Sequence, residues 1–119
     1  MTAPNLKSPT TITGKTARYA VGSGLATAIS GVPSGTVYKV NSIFCANVAN
    51  PDAAVDISVS IYDGTTDYYI ARTIAVPADA TQILSTKETY FYLEEGDSLR
   101  AAANAASGVV LVVGYEEIS

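Results

Sequence analysis

The residues with chemistry to offer are few, and most are carboxylates. The chain has no histidine, which removes Ser-His-Asp and Cys-His nucleophilic sites, His-ligated zinc and the commonest general base together. Cys45 is the only cysteine. With no imidazole to activate it and no partner for an intrachain disulfide, it reads as a small core hydrophobe. Gly22-Ser23-Gly24 has the outline of an exposed serine turn but lacks the Gly-x-Ser-x-Gly spacing and any base. Glu88, Glu94, Glu95, Asp97, Glu116 and Glu117 are the remaining catalytic option, because a glycosidase needs only two carboxylates about 5 to 10 Å apart. Glu94, Glu95 and Asp97 flank Gly96 in a tight turn, where acidic side chains are solvated or cap the turn by local hydrogen bonds. Glu116 and Glu117 end the last strand and read as surface carboxylates. Asp63-Gly64-Thr65-Thr66-Asp67 is acidic like a calcium loop but lacks the Asp-x-Asp-x-Asp-Gly order and the distal Glu. It reads as a hairpin turn. No catalytic residue, cofactor or metal ligand is expected, and the chain is read as non-enzymatic.

Aromatic residues offer a binding surface instead. Tyr62, Tyr68 and Tyr69 straddle one turn, and Tyr90 and Tyr92 sit two apart on one strand. A sugar-stacking or protein-binding platform would use such rings, each an apolar body with a polar tip. Ordinary cross-strand packing uses them too. The absence of tryptophan weakens a carbohydrate module. The exposed aromatic patch to test is therefore Tyr62, Tyr68 and Tyr69.

The elements that must position these groups are strands. At 119 residues and 48% hydrophobic, the chain fits one domain able to bury a two-layer core. It is rich in Thr, Val, Ile and Tyr, which suit a pleated half-buried surface. Val55, Ile57, Val59 and Ile61 alternate with Asp56, Ser58, Ser60 and Tyr62, the clearest period of two. Asp63-Gly64 turns that strand back into Tyr68 to Val76. Thr36 to Val48 reads as a long central strand, with Tyr38, Val40, Phe44 and Ala46 on one face and Ile43 and Cys45 on the other among Lys39, Asn41 and Asn47. Further strands are expected at Thr16 to Val21, Gln82 to Ser85, Thr89 to Leu93, Ser98 to Ala103 and Val109 to Ile118. Leu25 to Ile29 reads as a short strand or a helical turn. Turns are expected at Asn50-Pro51-Asp52, Glu94 to Asp97 and Asn104 to Gly108. The Ala-rich stretch Leu99 to Ala106 has helical propensity, but its flanking Gly96-Asp97 and Ser107-Gly108 favour strand and loop. The even spacing of short strands predicts an all-β antiparallel sandwich or jelly roll of seven or eight strands.

Residues 1–13 contain Pro4 and Pro9 and no period of either kind, so they are read as an extended arm preceding a single domain at 14–119. Pro4, Leu6, Lys7, Pro9 and Ile12 are its candidate partner-binding residues. A net charge of −4 and seven Lys or Arg spread singly provide no basic stripe, so no nucleic-acid partner is expected. The longest apolar run, Val109 to Val113, is far short of the roughly 20 residues that span a bilayer, so no membrane partner is expected. The opening Met1-Thr2-Ala3-Pro4 lacks the apolar stretch of a secretory signal, and the chain is expected to stay in the cytosol until it assembles.

Several segments in order carry a likeness: Val40-Asn41-Ser42-Ile43-Phe44-Cys45-Ala46-Asn47, then Val55-Asp56-Ile57-Ser58-Val59-Ser60-Ile61, then Ile74-Ala75-Val76-Pro77-Ala78. Tyr92-Leu93-Glu94-Glu95-Gly96-Asp97-Ser98-Leu99-Arg100 follows, and the last strand ends Gly114-Tyr115-Glu116-Glu117-Ile118. Over residues 36–118 the pattern resembles small β-sandwich virion proteins of tailed bacteriophages. That resemblance implies a head decoration or cement protein, with neck and tail parts as the alternative; a host-surface carbohydrate binder is the other alternative, from the tyrosine clusters. The resemblance also implies a location in the virion, a homo-oligomer (a trimer by analogy with decoration proteins on threefold positions), and the major capsid protein as partner.

Overall fold

The alternation that begins at Val55 forms β4 (Val55–Tyr62), in which Val55, Ile57 and Val59 are buried while Asp56 and Ser58 face partly outward. Asp63 accepts the amide N–H groups of Thr65 and Thr66 at 2.9 and 2.7 Å, which holds its carboxyl below the usual range. Gly64 takes φ +99°, a conformation costly for any residue with a Cβ, and the chain returns as β5 (Asp67–Val76). This computed structural model describes residues 4–48, 54–104 and 109–119. The expected turn at 50–52, and all but Asn104 of the one expected from Asn104 to Gly108, lie outside the described residues.

The other strands are β1 (Ile12–Val21), β2 (Ala26–Ile29), β3 (Val37–Asn47), β6 (Thr81–Ser85), β7 (Phe91–Leu93), β8 (Ser98–Ala103) and β9 (Val109–Ile118). Their ladders nest like one long folded hairpin: β4 with β5, β3 with β6 and β7, β2 with β8, and β1 with β9. Rolling that hairpin sets β9 beside β3 and β8 beside β4. The result is two antiparallel sheets, β1-β9-β3-β6/β7 and β2-β8-β4-β5, the connectivity of a jelly roll. Among the described residues nine strands appear rather than seven or eight, the ninth being the stretch from Leu25 to Ile29. A 3-10 turn at Lys87–Thr89 divides β6 from β7, so the run expected from Thr89 to Leu93 begins as a turn. Leu25 to Ile29 supplies a strand, and Leu99, Ala101 and Ala103 are alternately buried along β8.

The first strand starts at Ile12 rather than Thr16, because all ten residues from Ile12 to Val21 find partners on β9. Residues 12 and 13, read from sequence as arm, thus belong to the sheet.

A second difference lies in β3. Val40 pairs with Tyr115 but Ser42 pairs with Gly114, so Asn41 is an extra residue and the alternation changes phase there. Tyr38 and Val40 face the core before the bulge, and Ile43 and Cys45 face it afterwards. Phe44, expected to share a face with Tyr38 and Val40, is turned outward and is 36% exposed. Gly114 opposite the bulge leaves room for Ser42, whose Oγ would stand 2.9 Å from a Cβ at position 114.

The core is the interlayer space, filled by Val40, Ile43, Cys45, Leu93, Leu111 and Val113 from one sheet and Ile57, Val59, Val76 and Leu99 from the other. Cys45 has no exposed surface, and burial pushes its thiol up to about 12.

Candidate functional site

The carboxylates that could do chemistry hold the fold together at one end of the sandwich. Between β7 and β8, Glu95 Oε1 accepts the Gly35 N–H at 2.8 Å, tying this turn to the loop that leads into β3. Asp97 Oδ2 accepts the Glu94 N–H at 3.0 Å within the turn. Backbone bonds from Gly96 to Val32 and from Val32 to Asp97, both 2.9 Å, complete the clasp. Gly96, at φ +84°, makes the reversal possible. Glu116 accepts from Asn41 Nδ2 at 3.2 Å, and Glu117 pairs with Lys15 at 2.7 Å, a contact that raises the lysine's pKa. Glu88 lies in the exposed 3-10 turn. Glu95, Asp97, Glu116 and Glu117 thus each have a local structural partner, while Glu94 joins the turn through its backbone. Among the described residues no three or more His, Cys, Asp or Glu side chains converge where they could hold a metal ion, and no pocket is present.

Strand register divides the aromatic patch. Tyr62 pairs with Asp67 and Ser98, and Ser60 pairs with Tyr69 and Arg100, so Tyr62 and Tyr69 share the outer face of the second sheet. Tyr68 pairs with Ile61 and points to the other side, where it is 59% exposed. Cations occupy the two outer rings: the Arg100 guanidinium lies 4.3 Å from the Tyr62 centroid and Arg72 lies 4.8 Å from that of Tyr69. Arg100 also bonds Asp67 Oδ2 at 3.2 Å, while the other oxygen of Asp67 accepts the fully buried Ser60 hydroxyl at 2.9 Å. This is an interlocked surface that braces β4, β5 and β8, with one guanidinium over each of the two rings. On the first sheet Tyr90 and Tyr92 meet edge to face at 5.8 Å, with Lys39 4.3 Å above Tyr90.

The N-terminal residues sit at the same end as the carboxylate clasp. Asn5 forms a turn by accepting the N–H groups of Lys7 and Ser8. Thr10 and Thr11 donate to the Ser119 carbonyl at 2.6 and 2.9 Å, and Ser119 donates back to Thr11. Pro4 and Pro9 are half-buried, Lys7 is exposed, and Leu6 and Ile12 are 48% and 56% exposed. The segment standing off the sheets therefore ends at Pro9.

Neither a protein-family model nor a curated protein sequence matches the chain. Solved structures do. The fold is similar to that of a chain in the acidic stable capsid structure of Helicobacter pylori bacteriophage KHP30, with a TM-score of 0.58 and 18% identity over 94% of this chain and 90% of that one. It is similar also to a subunit of Bacillus endospore appendages, described as disulfide-linked pili, with a TM-score of 0.55 and 13% identity over 92% and 87%. At such identities the likeness is one of fold, and it spans both partners almost end to end.

Sequence reading missed the Ser60–Asp67–Arg100 network and the outward turn of Phe44. The second left a trace: Tyr38 and Val40 occupy even positions and Ile43 and Cys45 odd ones within a single strand, a change of phase that a bulge explains. Beyond it Phe44 lines up with Val112 and Ile83 on the outer face of the first sheet, where Ile83 is 52% exposed.

Proposed function

We propose that this chain is a non-enzymatic structural subunit of a bacteriophage virion, a decoration or cement protein that binds the major capsid protein and clamps neighbouring capsomers. The observation that carries the reading is the jelly roll matched nearly end to end with a phage capsid chain, taken with the resemblance of residues 36–118 to small virion sandwiches. The pilus likeness transfers less well. Disulfide linkage between subunits needs an accessible thiol, and the one cysteine, Cys45, is sealed in the core.

In this reading residues 1–9 are the attachment element. Once the Asn5–Ser8 turn opens, they reach about 30 Å at roughly 3.3 Å per residue, enough to cross onto an adjacent subunit. Lys7 and the exposed Leu6 supply a positive charge and an apolar side chain on an otherwise acidic protein. Three copies grouped about a threefold position is the arrangement that the resemblance implies.

Two measurements test this. Quantifying the subunit in purified particles should give a copy number matching the capsomers, hundreds per virion. Tens of copies located at a tail would favour a host-surface binder using the Tyr62, Tyr68 and Tyr69 region. Deleting residues 1–9 should leave a folded protein that no longer decorates particles, and full occupancy by that variant would overturn the assignment of the arm.

A further inference from the structure

We propose that the free edge of β1 pairs antiparallel with β1 of a second copy, joining two first sheets into one continuous sheet. The inference starts from how differently the sheet edges are built. An unpaired edge offers backbone N–H and C=O groups to any passing strand, and proteins blunt such edges with bulges, brevity or charge. Edge β2 spans only Ala26–Ile29 and carries an irregularity. Edge β5 shifts register twice against β4 and holds Thr73 at φ 51°, an uncommon conformation for a β-branched residue. The β6/β7 edge is broken by the 3-10 turn. Among the described residues β1 alone is long and regular, pairing from Ile12 to Val21 without a shift. Of the two cations on this edge, Lys15 and the exposed Arg18, one is also drawn aside. Lys15, the kind of edge charge that repels strand addition, is folded back over its own sheet onto Glu117.

The strand's own sequence makes a second copy the fitting occupant. Antiparallel partners match residues of like hydrogen-bonding type, so the twofold axis must pass through a residue and not between two. Centring on Lys15 or Arg18 sets like charges opposite each other, which destabilises the pair. Centring on Ala17 sets Lys15 opposite Tyr19 and Thr16 opposite Arg18, giving each cation an uncharged partner. Centring on Thr16 instead leaves Arg18 opposite Gly14, which has no side chain to meet it. Ala17 is therefore the expected axis. The N-terminal segment is a poor competitor for the same edge, because Pro4 and Pro9 have no N–H to donate and Asn5 to Ser8 form a turn.

This pairing goes beyond the virion reading and stands apart from it, since it is measured on free protein. Thr16 is exposed, so charge placed there tests the axis without touching the core. Sedimentation equilibrium of the full chain over a dilution series should show a monomer–dimer equilibrium. Thr16→Lys, which faces Arg18 of the second copy, should weaken the dimer about tenfold, and Thr16→Glu should tighten it by a similar factor. Thermal melts of both variants check that each remains folded. A wild-type chain that stays monomeric throughout, or two variants that shift the equilibrium in the same direction or not at all, would overturn the proposal, whereas loss of particle decoration bears only on the virion reading.

Discussion

Cys45 lets the core be weighed with a proton. The thiol has no exposed surface and ionises at about 12 in the folded chain, against about 8.5 for a free cysteine. Below pH 8.5 both states keep the proton and the difference contributes nothing. Above it the unfolded chain ionises while the folded chain does not, so stability falls as pH rises until the folded thiol also titrates near 12. By pH 10 the loss amounts to about 2 kcal/mol, from RT ln(1 + 10^1.5) with RT about 0.59 kcal/mol. Cys45→Ala removes this slope and, by analogy with deleting one buried methyl, costs about 0.5 to 1.5 kcal/mol at every pH. The two proteins should therefore exchange rank. Wild type should be the more stable at pH 7 and the variant at pH 10, with the crossing near pH 9. Tyr38, whose phenol is raised chiefly by burial and then by Glu117, titrates in both proteins and drops out of the comparison. Urea unfolding under reducing conditions at the two pH values measures the difference. If the gap between wild type and variant is the same at pH 7 and pH 10, Cys45 is not held protonated in a dry core and the reasoning fails.

Three further outcomes follow from the packing. Val59→Asp should unfold the domain, because an unpaired buried carboxylate costs several kcal/mol against a total stability of roughly 5 to 15 kcal/mol; a melting temperature within a few degrees of wild type would contradict the burial of Val59. Ile43→Ala should cost about 2 to 5 kcal/mol and Phe44→Ala under about 1.5 kcal/mol, as read by chemical denaturation, and the reverse ranking would remove the bulge at Asn41. Asp67→Ala should cost about 1 to 3 kcal/mol, since it strips partners from Arg100 and from the buried Ser60 hydroxyl, and a neutral result would mean that solvent replaces both bonds.

What the sequence could convey was periodicity and punctuation. The strict alternation of Val55 to Ile61 and the Asp63-Gly64 turn led directly to β4, β5 and their core face, and Gly96 between acidic residues marked the reversal into β8. What it could not convey were choices made by distant partners. Ile12 to Lys15 carry no strand period of their own and are strand because β9 lies alongside. Phe44 has the stronger claim to a core position by size, yet the extra residue at Asn41 gives that place to Ile43 and Cys45. The aromatic patch was legible as composition but not as geometry: Tyr62, Tyr68 and Tyr69 are close in sequence, while cross-strand register sends Tyr68 to the opposite side and puts arginines over the other two rings.

The position of β9 between β1 and β3 sets a schedule for biosynthesis. A ribosome releases the β4–β5 hairpin early, and that pair can close on itself while translation continues. The first sheet cannot follow, because the strand at its middle is made after every other strand of that sheet. Until Val109–Ile118 leaves the exit tunnel, β1 and β3 are without the neighbour that joins them, and the apolar residues of β3 stay open to other nascent chains. The interval before β9 docks is thus when crowding by sister chains on a polysome is most hazardous. Slowing elongation within the β9 codons should lower soluble yield more than the same pause placed within β5.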